Sequence, residues 1–242
     1  MIGGTGTIGA ACAQALVERE HSVVVASRSF KDVKSSPEEA DLEARLAVDI
    51  TDPVSVSALA QHITTHFLPL DVVILTAGGA EAEPLHCGAD HAAERLARIT
   101  RMTAVHVGGT VLVGSAFLPL LALRRGIFIV ITSRAASRHD PRVLSYAAAK
   151  AAQEHAVATF AGEWAQHGID VFCVAPGKVS GPLLRALAPD AGGTALRPAD
   201  VADAVCDLIA TRPGTGTKIT LRARHLPERE QLLADRCEGG RG

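Results

Sequence analysis

Ser133, Tyr146 and Lys150 are the residues of this chain whose types and spacing could do chemistry together. Tyr146 and Lys150 stand four positions apart in the run Tyr146-Ala-Ala-Ala-Lys150, so on a helix of about 3.6 residues per turn both side chains leave from one face. A free phenol titrates near pH ~10. An ammonium about 4 Å away, at an effective dielectric of about 20, favours the phenolate by about 4 kcal/mol, or roughly 3 pK units. The spacing therefore predicts a tyrosine poised as general acid and base near neutrality. Ser133 closes the apolar run Ile127-Phe-Ile-Val-Ile-Thr, a strand pattern, and is placed to hydrogen-bond the oxygen that gains or loses negative charge.

A second constellation opens the chain. Gly3-Gly4-Thr5-Gly6-Thr7-Ile8-Gly9 leads straight into an Ala-rich helical pattern from about Ala10 to Arg19. Glycines let the backbone turn tightly and approach a pyrophosphate, while free N–H groups at the start of the helix attract its charge. Val23-Val24-Val25-Ala26-Ser27 follows as a buried strand and completes a β-α-β unit. Gly3, Thr5, Gly6, Thr7, Ile8 and Gly9 are thereby candidate dinucleotide-binding residues. The histidines show no HExxH pairing, so no metal site is expected. No GxSxG elbow exists, which argues against Ser133 as a hydrolase nucleophile. Arg134, Arg138 and Arg142, between Ser133 and Tyr146, read as solvated loop charges.

The elements that must position these groups follow from periodicity. Leu46 to Asp49 reads as a third strand, Ser55 to Phe67 as a helix, and Asp71 to Thr76 as a buried strand ending in Ala77-Gly78-Gly79. A long helical region reaches about Leu123, with a break expected near Gly108 and Gly109. The Tyr146 helix runs to about His167, the strand Val171 to Ala175 ends in Pro176-Gly177, and Pro198 to Ala210 is helical before a last strand at Lys218 to Leu221. Residues 29 to 43, with Pro37, read as a charged surface loop, and the tail beyond Arg222 as a peripheral solvated helix or disordered end. Glu20 stands where a helix usually ends in glycine. Short apolar strands alternating with longer helices predict an α/β fold, a parallel sheet covered on both faces, with ligands beyond the carboxyl ends of its strands.

At 242 residues the chain suits one domain spanning 1–242, with the Gly loop making it a candidate dinucleotide-binding domain. A formal net charge of -2 and no basic run point away from nucleic acids and anionic membranes, toward a small molecule. The cysteines at 12, 87, 173, 206 and 237 form no CxxC pattern and read as reduced thiols of a cytoplasmic protein. No apolar run approaches the ~20 residues a membrane span needs.

With the Gly loop, the Ser133, Tyr146, Lys150 spacing and Pro176-Gly177 in this order, the chain resembles the short-chain dehydrogenase/reductase family over roughly Ile2 to Leu221. The resemblance implies a single Rossmann-like doubly wound domain of seven parallel strands, a nicotinamide cofactor, and interconversion of a carbonyl and an alcohol. It gives Ser133 the carbonyl oxygen, Tyr146 the proton, and Lys150 both the nicotinamide ribose and the tyrosine pKa. It places Asp49 and Ile50 near the adenine, Ala77 and Gly78 along the cofactor, and Pro176, Gly177 and Val179 beside the nicotinamide. His106, in Val105-His106-Val107-Gly108-Gly109, stands in place of an asparagine that anchors a water near the lysine; a neutral imidazole can also hold a water. Thr76 stands where the family has asparagine, and Gly181 where it has a threonine. The family usually pairs the helices near 104 to 123 and 144 to 167 between subunits, so a homodimer or homotetramer is expected.

Ser27 and Arg28 close the second strand where an acidic residue would bind the ribose of NAD; a guanidinium can clamp a 2′-phosphate instead, so NADP(H) is the expected cofactor. The loop from Val179 to Leu196, with Leu183, Leu184 and Leu187, is expected to close over an apolar part of a small or medium substrate. A dinucleotide-binding sensor of the same fold is the alternative. One further expectation concerns the sheet's centre. The first strand should supply about 5 residues before the Gly loop, but only Met1 and Ile2 precede Gly3, so that strand reads as truncated.

Overall fold

The computed structural model describes residues 1–30, 42–81, 83, 91–138, 140–187, 195–223 and 225–231. Its elements in chain order are α1 Thr7–Val17, β1 Val24–Ser27, β2 Ala44–Ala47, α2 Pro53–His66, β3 Val72–Leu75 and α3 Ala92–Thr103. A π turn, Ala104–Gly108, then leads into α4 Gly109–Ala122, followed by β4 Ile127–Ile131, α5 Leu144–Trp164 and β5 Asp170–Pro176. The chain continues with α6 Pro182–Leu187, α7 Pro198–Thr211, β6 Thr217–Arg222 and β7 His225–Gln231.

β1 pairs with β2 and β3 pairs with β4, which pairs with β5 and then β6, every one of these contacts parallel. The central strands are apolar throughout because both faces are covered. On β4, Phe128 and Val130 face a core built with Val56, Ile63, Val113, Phe117, Val157 and Trp164 of α2, α4 and α5. Ile127, Ile129 and Ile131 face the opposite core, with Cys12 and Leu16 of α1 and Val201, Val205 and Leu208 of α7. The period of two along the strand divides one run of five residues between two helical layers.

Ile2 joins the two blocks of strands, bridging in parallel to both Ala26 and Leu75. Its N–H donates to Ile74 O at 2.8 Å and its carbonyl accepts from Thr76 N–H at 2.8 Å, while Gly3 N–H donates to Ala26 O at 2.7 Å. The central pairing expected of about 5 residues is thus carried by Met1, Ile2 and Gly3. Behind them a cavity of about 400 Å³ lies between Val23 and Val24 on one side and Asp71, Val72 and Val73 on the other, floored by Leu16, Leu59 and Phe117.

Three expectations need correction. β7 occupies part of the tail read as helical or disordered, and it pairs antiparallel with β6, so the sheet is not parallel throughout. Glycines 108 and 109 do not break the long helix: a π turn carries it through, and Gly109 lets the Ile50 side chain pack close, 2.6 Å from where a Cβ would stand. The resulting helical run, Ala92–Ala122, is long and apolar enough to cross a membrane by length and composition, yet Val113, Phe117 and Leu121 along it are buried in the core. Glu20 takes the left-handed conformation, with φ 62°, that follows α1. Cys12, Cys173 and Cys206 are free and buried. The loop around Pro37, the stretch 188–194 and the tail from 232 lie outside the described residues, as do Cys87 and Cys237.

Candidate active site

The parallel strands present their carboxyl ends on one side, and the residues singled out from the sequence meet there. The Gly loop follows Ile2, Ser27 ends β1 and Arg28 follows it, Asp49 and Ile50 follow β2, Ala77 and Gly78 follow β3, and Ser133 follows β4. Pro176 and Gly177 end β5, and Val179 bridges back to Leu196.

Ser133 caps a short 3-10 turn, Arg134–Ser137, its hydroxyl accepting from Ala135 N–H at 3.1 Å. Tyr146 lies in the first turn of α5 and shares a hydrogen bond with Ser133. Lys150 is 4% exposed; its Nζ donates to Ile131 O at 3.0 Å and to Gln153 Oε1 at 2.9 Å, 5.7 Å from the centre of the Tyr146 ring. The expected electrostatics are corrected here. Burial pushes the Tyr146 phenol above its ordinary value, the Ser133 hydrogen bond opposing it. Burial also takes the Lys150 ammonium down to about 7. The lysine nitrogen donates to these two neutral oxygens, and the phenol stands above its ordinary value where the spacing implied one below it.

One supporting group was not legible in the sequence. Val143, the N-cap of α5, offers no side-chain hydrogen bond, and the Ser145 N–H is taken instead by the Glu83 carboxylate, 62 residues away. Glu83 N–H also donates to Arg142 O at 2.8 Å, so the residue preceding Tyr146 is held from across the site.

His106 sits in the π turn, 1% exposed, edge-on to Tyr146 with ring centres 5.4 Å apart. Its Nε2 is 2.9 Å from Gly79 O; a carbonyl only accepts, so Nε2 carries the proton and Nδ1 is a bare acceptor. Nδ1 is buried without a partner among the described residues. Gly78 passes so close that a Cβ there would stand 2.5 Å from His106 Cε1. Burial first, then the Lys150 charge, lowers the imidazole pKa to about 3. The folded value lies below the unfolded value of about 6.5, so the stability tied to neutral His106 is complete above pH ~6.5 and falls as pH drops toward 3. The imidazole therefore stays neutral at working pH, and its protonation does not shape activity there. His106→Asn, which keeps an acceptor, is expected to retain several-fold more turnover than His106→Leu. Equal near-native rates in steady-state assays of both would make His106 a packing residue only.

The Gly loop folds against β3 and α1. Gly3 has φ 88°, and a Cβ on it would meet Ala77 N at 2.4 Å; one on Gly9 would meet Gly3 O at 2.3 Å. Gly6 caps α1 without a side-chain hydrogen bond, and no acidic residue occupies the helix's first turn. Beside it Thr5 Oγ1, Ser27 Oγ and Ser29 Oγ form a triangle of hydroxyls with separations of 2.6, 2.9 and 3.1 Å. Ser29 was missed in the sequence, although its spacing from Ser27 was the available signal. Arg28 is exposed next to this triangle. Asp49 Oδ1 accepts from the Thr51 N–H and hydroxyl, and these bonds, with the Arg28 charge, hold its carboxyl below the usual carboxylate range. Asp52 caps α2. Ile50 is buried against Gly109, so its side chain belongs to the core and only its backbone can meet a ligand. The 179–196 stretch is not loop alone, since α6 lies within it; Leu183 is 48% exposed there. Gly181 packs on Thr7, 3.0 Å from the place of a Cβ.

Comparison with known proteins bears on this arrangement. The family model for short chain dehydrogenase matches residues 1–192. Cis-4-hydroxycyclohexanecarboxylate dehydrogenase of Sinomonas cyclohexanicum is 32% identical over 85% of this chain and 86% of its own. Galactitol 2-dehydrogenase of Rhizobium johnstonii is 30% identical over 76% of this chain and 72% of its own. Among solved structures, a short-chain type dehydrogenase/reductase from Mycobacterium marinum shares the fold with a TM-score of 0.81, at 24% identity over 92% of each chain.

Proposed function

We propose that this chain, which belongs to the short-chain dehydrogenase family of oxidoreductases acting between CH–OH and C=O, is a single-domain ketone reductase that uses NADP(H). The observation that carries the reading is the meeting of Ser133 with Tyr146 above buried Lys150, at the strand ends where the Gly loop also lies. A dinucleotide fits the residues present. Gly9 and Gly3 leave no room for side chains in the loop, the first turn of α1 keeps N–H groups for an anion, and Arg28 with the Thr5, Ser27 and Ser29 hydroxyls can hold a 2′-phosphate.

A bound nicotinamide supplies the hydride to the carbonyl carbon. Ser133 holds the carbonyl oxygen, and Tyr146 passes its proton to that oxygen as negative charge develops. A phenol held above its ordinary pKa is protonated at neutral pH, which suits a proton donor and hence the reductive direction. Lys150 steadies the phenolate left behind and is the residue that can reach a ribose hydroxyl. Asp49, Ala77, Gly78, Pro176, Gly177 and Val179 line the rest of the cofactor groove in this reading. The names of the two relatives, a polyol and a ring alcohol dehydrogenase, together with Leu183 and Leu184 of α6, favour a small or medium, partly apolar secondary alcohol or its ketone. A cytoplasmic homodimer or homotetramer belongs to the same reading, supported by exposed Val111 on α4 and the exposed Ala148, Ala151 and Ala152 of α5.

The competing reading is a dinucleotide-binding sensor, favoured by the departures from the family's residues at Thr76, His106 and Gly181. Oxidation of NADPH by a panel of ketones, read for the purified protein, separates the two: turnover supports the reductase and binding without turnover supports the sensor. Arg28→Ala is expected to reduce the ratio of NADPH to NADH efficiency about 10- to 100-fold, the weight of a charge-assisted pair of hydrogen bonds. An unchanged ratio would overturn the NADP(H) assignment.

A further inference from the structure

Behind Lys150 lies a buried chain of hydrogen bonds that runs into the π turn. Lys150 Nζ donates to Gln153 Oε1 at 2.9 Å, Gln153 Nε2 donates to Thr110 Oγ1 at 2.8 Å, and Thr110 Oγ1 donates to the His106 carbonyl at 2.6 Å. Gln153 is 1% exposed and Thr110 0%. The direction of every bond is fixed from its far end. A backbone carbonyl only accepts, so the Thr110 hydroxyl must donate to it and has its lone pairs left for an N–H. The Gln153 amide therefore turns its NH₂ to Thr110 and its oxygen to Lys150. An amide oxygen only accepts, so the lysine is held as the donor.

We propose that Gln153 is a positioning residue for Lys150: its amide oxygen, oriented by Thr110 and the His106 carbonyl, holds the lysine nitrogen and keeps its remaining N–H for the Tyr146 side of the site. An ammonium has three donors. Ile131 O and Gln153 Oε1 take two of them at 3.0 and 2.9 Å, leaving one for Tyr146 or a ribose hydroxyl.

The charged and titratable groups around Lys150 do not substitute for Gln153. Glu154, on the same helix, is engaged by Lys218 of β6 at 3.0 Å and by the Thr132 hydroxyl at 3.0 Å. Cys173 of β5 is a thiol that burial pushes up to about 12, and His106 of the π turn is neutral. Tyr146 presents its ring. Among the described residues the direct hydrogen-bond partners of Lys150 are thus two neutral oxygens, of which Gln153 Oε1 is the one that belongs to a replaceable side chain.

This inference rests on the reductase reading, so its test has one arm with turnover and one without. The first arm is the pH profile of kcat/KM for NADPH, which reports groups of the free enzyme. The native profile is expected to fall as Lys150 loses its proton near pH 7. Gln153→Glu places a carboxylate against the lysine and is expected to move that limb up by about 1 to 3 pH units. Gln153→Leu removes the acceptor and is expected to lower kcat by about 10- to 100-fold, with KM for the ketone little changed. Thr110→Val frees the amide to turn its NH₂ toward the lysine and is expected to fall in the same direction as Gln153→Leu.

The second arm titrates the Lys150 side chain in each protein by NMR of 13C-labelled lysine, which needs no turnover. Gln153→Glu is expected to raise the Lys150 midpoint and Gln153→Leu to lower it. Unchanged Lys150 midpoints in both Gln153 variants would overturn the proposal. A native protein that never oxidises NADPH, yet shows the shifted midpoints, would overturn the reductase reading and leave Gln153 as the residue that positions Lys150.

Discussion

Tyr146→Phe is expected to lower turnover by about 10²- to 10⁴-fold, the range set by losing a positioned general acid, with fold and NADPH affinity kept. The ring meets His106 edge-on and lies beside Lys150, and phenylalanine preserves both contacts. Only the hydroxyl and its Ser133 hydrogen bond are lost, while Ser133 keeps the Ala135 N–H. The loss therefore belongs to kcat, with KM for the ketone changed little. Ser133→Ala, which removes the donor at the carbonyl oxygen, is expected to cost about 10²- to 10³-fold. Near-native kcat in Tyr146→Phe, measured with the same ketone and NADPH, would move the proton donor to another residue.

Gly9→Ala is expected to abolish NADPH binding and to lower the melting temperature together. The added Cβ would lie 2.3 Å from Gly3 O and 2.7 Å from Gly4 Cα, both backbone atoms, so α1 and the loop must move apart. Overpacking of this kind costs about 1 to 3 kcal/mol or more, and a chain of this size loses roughly 2 to 4 °C per kcal/mol. Gly6→Ala is the informative contrast. A Cβ at Gly6 has its nearest neighbour, Gly3 O, at 3.4 Å, and the residue already has an ordinary extended conformation with φ -75°. The methyl group would stand at the N-terminus of α1, where a pyrophosphate must approach. Gly6→Ala is therefore expected to weaken NADPH binding with the melting temperature unchanged. Calorimetric melting and NADPH titration of both variants check this pair, and a stable, NADPH-binding Gly9→Ala would show that the loop does not pack as described.

What could be read from the sequence was whatever chain-local spacing determines. Ile127 to Ile131 announced a central strand because a strand covered on both faces must be apolar at every position. Tyr146 and Lys150 announced a shared helix face, and the glycines of residues 3 to 9 announced a tight loop. The direction of Lys150 was not legible, because it depends on a competition between the phenol and two oxygens, Ile131 O and Gln153 Oε1, supplied by the fold. Glu83 was hidden for a similar reason: a helix cap delivered from 62 residues away has no local pattern. The π turn at His106 escaped because it is a change of hydrogen-bond register, and Gly108-Gly109 carried the ordinary meaning of a helix break. β7 escaped because its charged sequence, His225 to Gln231, carries no apolar strand pattern; its pairing with β6 makes it a strand.

The most direct measurement is the fate of the hydride. With NADPH deuterated on the transferring face of the nicotinamide and a ketone that the native protein turns over, deuterium is expected on the carbinol carbon of the product, one atom per NADPH consumed. Tyr146→Phe should form the same labelled product, only at its residual rate. NADPH bound tightly by the native protein, with no deuterium reaching any ketone of the panel, would contradict the reductase reading and leave a dinucleotide-binding protein that keeps the Ser133, Tyr146 and Lys150 arrangement without using it.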